Sequence, residues 1–201
     1  MKKYIFYLLL FFLSITALNA EDNSGISNKT HGFIGFNFER QILNFKTINM
    51  FGVNIEAFIS NNISVFYNFQ IGFEGSDMYL HSSAGFVGGI YAISNNWFAS
   101  DNYDDEEDTD FYRYTALILA FIPEGIGYHF PMSPQAELIP YINPLGYDYF
   151  SETKSFTSGL GVRLNYVPFG NLQISPYAGI RYFYYTGQKS FNLGINAGFR
   201  L

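Results

Sequence analysis

The sequence predicts an all-β fold: a closed antiparallel β-barrel that spans a membrane and turns its apolar side chains outward. Three observations carry this reading. Apolar and polar residues alternate at period two through most of the chain. Charged residues make up only 14%, against about 25% in an ordinary soluble protein. Aromatic residues reach 20%, with 23 Phe and 17 Tyr.

The first twenty residues read as a separate element. Lys2 and Lys3 are followed by the apolar run Tyr4 to Leu13, and Ala20 closes the stretch just before Glu21 and Asp22. That order is a secretory signal peptide. The run is too short for a membrane-spanning helix, which needs ~20 apolar residues. The expected organisation is therefore a signal peptide over 1–20 and one barrel domain over 21–201. Without Lys2 and Lys3 the chain keeps nine basic residues against 17 acidic ones, a net charge of −8. Phosphate backbones need a basic face, so a nucleic-acid partner is excluded. The chain has no Cys, and an exported protein of this kind is held together without disulfides.

Nine segments are strand-like: 32–40, 47–59, 63–74, 80–93, 112–129, 137–149, 155–167, 172–186 and 190–201. The clearest pair is 51–73. Phe51, Val53, Ile55, Ala57 and Ile59 alternate with polar residues, "SNN" at 60–62 interrupts, and Ile63, Val65, Tyr67, Phe69, Ile71 and Phe73 resume. This is a hairpin. "QISPYAG" at 173–179 echoes "ELIPYIN" at 137–143, so strand pairs recur after turns rich in Asn, Gly, Pro or Ser. Single-chain barrels of bacterial outer membranes have even strand numbers. Eight strands are expected, with ten as the alternative. The segment that drops out is 80–93, "LHSSAGFVGGIYAI", whose small residues suit a helix or a folded-over piece of a long loop. A second assignment instead removes 32–40 as an arm outside the barrel. In 112–129, "TALILAF" is continuously apolar and Pro123 interrupts the segment, so it reads either way.

Charge decides which face is inside. Seven charges fall in "DNYDDEEDTD" at 101–110, and the strands are nearly free of charge on both faces. A soluble barrel with that surface would aggregate. With Phe, Ile, Leu, Val and Tyr facing lipid, the polar set of Glu56, Asn68, Gln70, Arg163 and Arg181 points into a small interior and pairs there. Eleven residues at ~3.3 Å each, tilted ~40°, rise about 28 Å and cover an apolar band of ~25 Å. "YDYF" at 147–150 and "RYFYY" at 181–185 suit the aromatic girdles at the two membrane surfaces.

The last twelve residues, "SFNLGINAGFRL", place Phe191, Leu193, Ile195, Ala197, Phe199 and Leu201 on one face of a strand. They resemble the C-terminal recognition strand of bacterial outer-membrane proteins, with Leu201 where that family usually ends on an aromatic. The chain after residue 20 resembles the small outer-membrane barrels of the OmpA and OmpX type. The resemblance implies residence in a Gram-negative outer membrane. It also implies lipid and lipopolysaccharide as surroundings, and the barrel assembly machinery reading Phe199 and Leu201. The turns "SNN", "FPMSPQ" and "PFGN" then face the periplasm, and 75–111 forms the one long extracellular loop.

Sequence motifs for chemistry are sparse. The acidic run 101–110 lacks the spaced Asp-x-Asp-x-Asp-Gly pattern of a calcium loop and reads as a solvated loop. No zinc spacing, phosphate loop or cofactor signature is present, so no metal or cofactor is expected. His31 and His129 read as interfacial or hydrogen-bonded residues. "HSSAG" at 81–85 faintly resembles the His-x-Ser-Asn motif of lipid A deacylases, with Ala84 in place of Asn. On that alternative His81 is the base, Ser83 the nucleophile and Glu74 the residue that orients the histidine. A narrow pore is a third alternative, although an eight-stranded interior is just filled by side chains. The expectation is a structural or surface-contact protein without catalysis.

Overall fold

The wall of the molecule is one antiparallel sheet that returns to its own first strand. The computed structural model describes residues 32–43, 46–87, 122–150 and 154–201. The strands are β1 (Gly32–Leu43), β2 (Lys46–Phe58), β3 (Ile63–Glu74), β4 (Asp77–Ser83), β5 (Gly125–Tyr128), β6 (Phe130–Ser133), β7 (Ala136–Phe150), β8 (Lys154–Phe169), β9 (Leu172–Phe183) and β10 (Lys189–Arg200). The signal-peptide segment, His31, the acidic run 101–110 and most of 112–129 lie outside the described residues.

Closure is made by β1, which pairs with β10 from Phe33↔Arg200 to Leu43↔Ser190 and with β2 on its other edge. The second assignment made from the sequence, 32–40 as an arm outside the barrel, is therefore corrected. Its alternation of Ile34, Phe36 and Phe38 with Gly35, Asn37 and Glu39 serves a wall strand with lipid on one side and a polar interior on the other. Around the ring the order continues β2, β3, then β4 with β5, then β7, β8, β9 and β10. This gives eight positions from ten strands. β4 pairs with the half of β3 from Phe69 to Glu74, and β5 with the half from Ile63 to Phe66. β6 extends this position by pairing with Ala136 to Leu138 of β7.

The fourth wall position is thus broken in the middle. After Ser83 the chain makes a single helical turn over 84–87, and the wall resumes at Gly125. The segment 80–93 is therefore strand at its start and helix just after, and 112–129 supplies only its last residues to the described wall. The expected loop 75–111 is also corrected. Gly75 adopts φ +62°, the left-handed region open to glycine, and makes a tight turn that pairs Glu74 with Asp77. The chain runs back into the wall as β4.

Neighbouring side chains point to opposite faces of a strand. In β1, Phe33, Asn37, Glu39 and Gln41 are buried while Phe36 is 77% exposed. In β10, Ser190, Asn192 and Asn196 are buried while Phe191, Leu193, Ile195 and Phe199 are exposed. The same inversion holds in β8, where Ser155, Thr157, Arg163 and Asn165 are buried against exposed Phe156, Leu160, Val162 and Leu164. Ile48, Met50 and Tyr79 form an apolar cluster inside, near the Gly75 end, and Phe33, Phe66, Ile139 and Phe183 are buried elsewhere in the barrel. In mid-barrel, Tyr177 fills the interior above Gly194, and a Cβ at that glycine would overlap the tyrosine ring.

Gly194→Val is expected to cost about 1–3 kcal/mol by overpacking, read as a lower urea midpoint in detergent micelles. Its cost should shrink in a Tyr177→Ala background, because the two positions compete for one volume.

Candidate functional site

The buried polar groups lie inside the barrel and form two ionic clusters. The first, toward the Gly75 end, is centred on Arg181. Its guanidinium lies 3.3 Å from Glu39 and 3.6 Å from Asp148. Glu39 also accepts hydrogen bonds from Tyr177 Oη at 2.8 Å and Asn192 Nδ2 at 2.9 Å. Asp148 faces His81 Nδ1 at 3.2 Å, and His81 Nε2 meets Glu124 at 2.8 Å. Glu124 accepts from Asn68 at 2.8 Å and from Asn143 at 2.7 Å. The residue that re-enters the wall after the break is thereby fixed by three partners.

The second cluster lies toward the Gly170 end. Arg163 pairs with Glu56, which also accepts from Ser64. His129 Nε2 is 3.2 Å from Glu56 and its Nδ1 is 3.1 Å from Glu137. Arg200 reaches Glu137 at 3.2 Å and donates to Gln173 at 2.6 Å. Burying an ion is costly unless it is paired and hydrogen-bonded, and each of these carboxylates has a cation or imidazole beside it. Between the clusters is a cavity of about 40 Å³ lined in part by Asn54, Asn68, Asn143, Arg163 and Arg181. It has room for a few waters and no larger solute.

The sequence-derived interior set of Glu56, Asn68, Gln70, Arg163 and Arg181 is found inside. Glu39 and Gln41 were legible from the same alternation in β1. Asp148 was not, because a register shift between Asn143 and Gly146 changes which residues of β7 face inward. Glu124 belongs to no strand, and no pattern announces it.

The residues of the hydrolase alternative meet other groups in this structure. His81 and Ser83 do share the inner face of β4 and are both buried. Yet both ring nitrogens of His81 face carboxylates, and Ser83 Oγ accepts the amide N–H of Phe86 at 3.2 Å. Glu74 does not orient the histidine. It accepts a hydrogen bond from Tyr79 Oη at 2.7 Å and pairs with Lys46, because register sets it opposite Asp77 rather than beside His81. Among the described residues no group of His, Cys, Asp and Glu is arranged to hold a metal ion. Phe199 and Leu201 both face outward and are exposed, and Leu201 is tied to Gly32 through its amide.

An apolar exterior, a paired polar interior and a closed ring stand together. The architecture is that of a small closed antiparallel β-barrel with its polar side chains inside. No family model and no curated protein matches the chain. Among solved structures it is similar to the attachment invasion locus protein Ail of Yersinia pestis, at 14% identity over 87% of this chain and 100% of that one, TM-score 0.48. It is also similar to the N-terminal barrel domain of Pseudomonas aeruginosa OprF, at 9% identity over 86% and 100%, TM-score 0.47. Neisserial surface protein A aligns at 9% identity over 87% and 100%, TM-score 0.47.

Removing Arg181 leaves Glu39 and Asp148 buried without their shared cation. Arg181→Met is expected to cost about 3–5 kcal/mol. The exposed Lys46→Met should stay within about 0.5 kcal/mol. Paired urea unfolding curves followed by circular dichroism check the difference.

Proposed function

We propose that this chain is an integral protein of a Gram-negative outer membrane with a structural or surface-contact role and no catalytic step. The observation that carries the proposal is the inverted distribution of side chains. Exposed Phe36, Phe51, Leu160 and Phe199 surround buried Glu39, Glu56, Arg163 and Arg181. Such a molecule is stable with its outer face in hydrocarbon, where every backbone polar group must be paired within the sheet. Lipid and lipopolysaccharide are its surroundings. Phe199 and Leu201 form the strand face offered to the barrel assembly machinery. The leader over residues 1–20 is removed during export, and N-terminal sequencing of membrane-extracted protein tests cleavage after Ala20.

The first test is electrophoretic. Chain from residue 21 refolded in micelles is expected to resist cold SDS and to migrate differently from boiled protein. β-rich protein that is soluble without detergent and shows no shift would overturn the proposal in favour of a soluble barrel with an apolar core.

The hydrolase alternative draws on His81 and Ser83 alone, and the engagement of both imidazole nitrogens leaves no base for the serine. Lipid A acyl chains are expected to be identical in cells carrying wild-type protein, Ser83→Ala or a deletion; a loss of deacylation in the last two would establish the enzyme. The pore alternative predicts ion conductance in planar bilayers, whereas an interior filled by paired side chains around a cavity of about 40 Å³ is expected to give none above background.

A further inference from the structure

The fourth wall position changes its attachment at His129. β5 pairs with both β3 and β7, whereas β6 pairs with β7 alone among the described residues. His129 lies between the two short strands and is buried. Its amide N–H donates to the Asn62 carbonyl at 2.8 Å. Its ring reaches β2 and β3 on one side and β7 on the other. Nε2 is 2.8 Å from Ser64 Oγ and 3.2 Å from Glu56 Oε1, and Nδ1 is 3.1 Å from Glu137 Oε2.

These partners offer the ring no proton. A neutral imidazole has one N–H and one bare nitrogen, and the bare nitrogen can only accept. Beside Nδ1 stands a carboxylate oxygen that also receives Arg200 at 3.2 Å. Beside Nε2, the single hydroxyl proton of Ser64 goes to Glu56 Oε1. Arg163 pairs with that same oxygen and keeps Glu56 a carboxylate. Both contacts are met together only by a ring that carries a proton on each nitrogen. Such a ring donates to Glu137 through Nδ1 and to Ser64 through Nε2. The Phe58 ring agrees with a charged partner: its centre lies 4.5 Å from that of His129, within the range of a cation–π contact. So does the charge of the whole interior. Glu39, Glu56, Glu124, Glu137 and Asp148 supply five negative charges, and Arg163, Arg181 and Arg200 supply three positive ones. Imidazolium at His129, and at His81 between Glu124 and Asp148, makes the two clusters together neutral, and unbalanced buried charge is costly.

We propose that His129 is a proton-dependent clasp: as an imidazolium it ties the junction of β5 and β6 to β3 and β7 at once, and on losing a proton it releases one of them. The clasp is independent of the outer-membrane reading. The groups that face the ring are Glu56 and Phe58 from β2, Ser64 from β3 and Glu137 from β7, with Arg163 of β8 behind Glu56 and Arg200 of β10 behind Glu137. With Nδ1 bare, the ring sets a lone pair against Glu137. With Nε2 bare, it sets one against Ser64 and Glu56. The effect reaches the closing seam, because Arg200, which shares Glu137, lies opposite Phe33 of β1.

The test uses the chain from residue 21, refolded in micelles and isotope-labelled at its histidine nitrogens. At about pH 8 an unfolded histidine is neutral. In the barrel both ring nitrogens of His129 are expected to give N–H signals at that pH, assigned by their loss in His129→Gln. If His129→Gln does not fold, His31→Gln and His81→Gln assign the same signals by elimination, since the chain has three histidines. Folding then takes up a proton, and stability falls as pH rises. The wild-type urea midpoint is expected to drop from about pH 7 to about pH 9, and that of His129→Gln to drop less. A single protonated nitrogen on His129 at about pH 8, a proton found on Glu137, or equal pH slopes in the two proteins would overturn the proposal.

Discussion

Hydrogen-bond closure of the backbone is the constraint on which the molecule depends. In hydrocarbon an unpaired N–H or C=O costs several kcal/mol, so a sheet with free edges cannot reside there. The pairing of β1 with β10 removes those edges. It brings together residues at opposite ends of the described chain, and the contacts that follow are long-range. Glu39 meets Arg181, Asn192 and Tyr177 only because the ring is shut. The interior is a consequence of closure rather than its cause: the inward faces become a shared volume once the last strand lies against the first.

That volume is small, and its filling follows from charge and size. Large inward side chains such as Tyr177 stand against glycine on the facing strand. Carboxylates are distributed so that each meets a guanidinium or an imidazole, with Arg181 and Arg163 as the two centres. Buried pairs of this kind contribute little net stability compared with apolar packing, but removing one member leaves an unpaired charge. The interior therefore resists piecemeal change. His81 illustrates the point. Its Nε2 bonds Glu124 and its Nδ1 lies 3.2 Å from Asp148, while the neighbouring Ser83 Oγ accepts from the Phe86 amide.

The broken fourth position is the departure from a regular barrel. A strand that stops at Ser83 and resumes at Gly125 leaves β3 and β7 to bridge the interval. β7 does so with its register shift between Asn143 and Gly146. Glu124 fills the inner side through Asn68, Asn143 and His81. On the outer side the Phe86 ring meets Phe69 edge-on at 6.0 Å. Polar contacts seal the break within and an aromatic pair covers it without, in keeping with the environment of each face.

Most of the architecture was legible in the sequence because side-chain direction in a strand is fixed by position alone. Period two assigned Phe51, Leu160 and Phe199 to one face and Glu56, Gln70, Arg163 and Arg181 to the other, and the scarcity of charge chose which face meets lipid. Which inward residues pair was a tertiary matter. Glu124 became part of the interior only through the return of the chain after the break, and Asp148 through a bulge that shifts register without changing composition. Glu74 was near His81 in sequence yet far in function, since strand pairing set it against Asp77. The sequence by itself determined the faces, by steric alternation within each strand. The partners were decided by ring closure, which joins strands more than a hundred positions apart, and by the register of neighbouring strands.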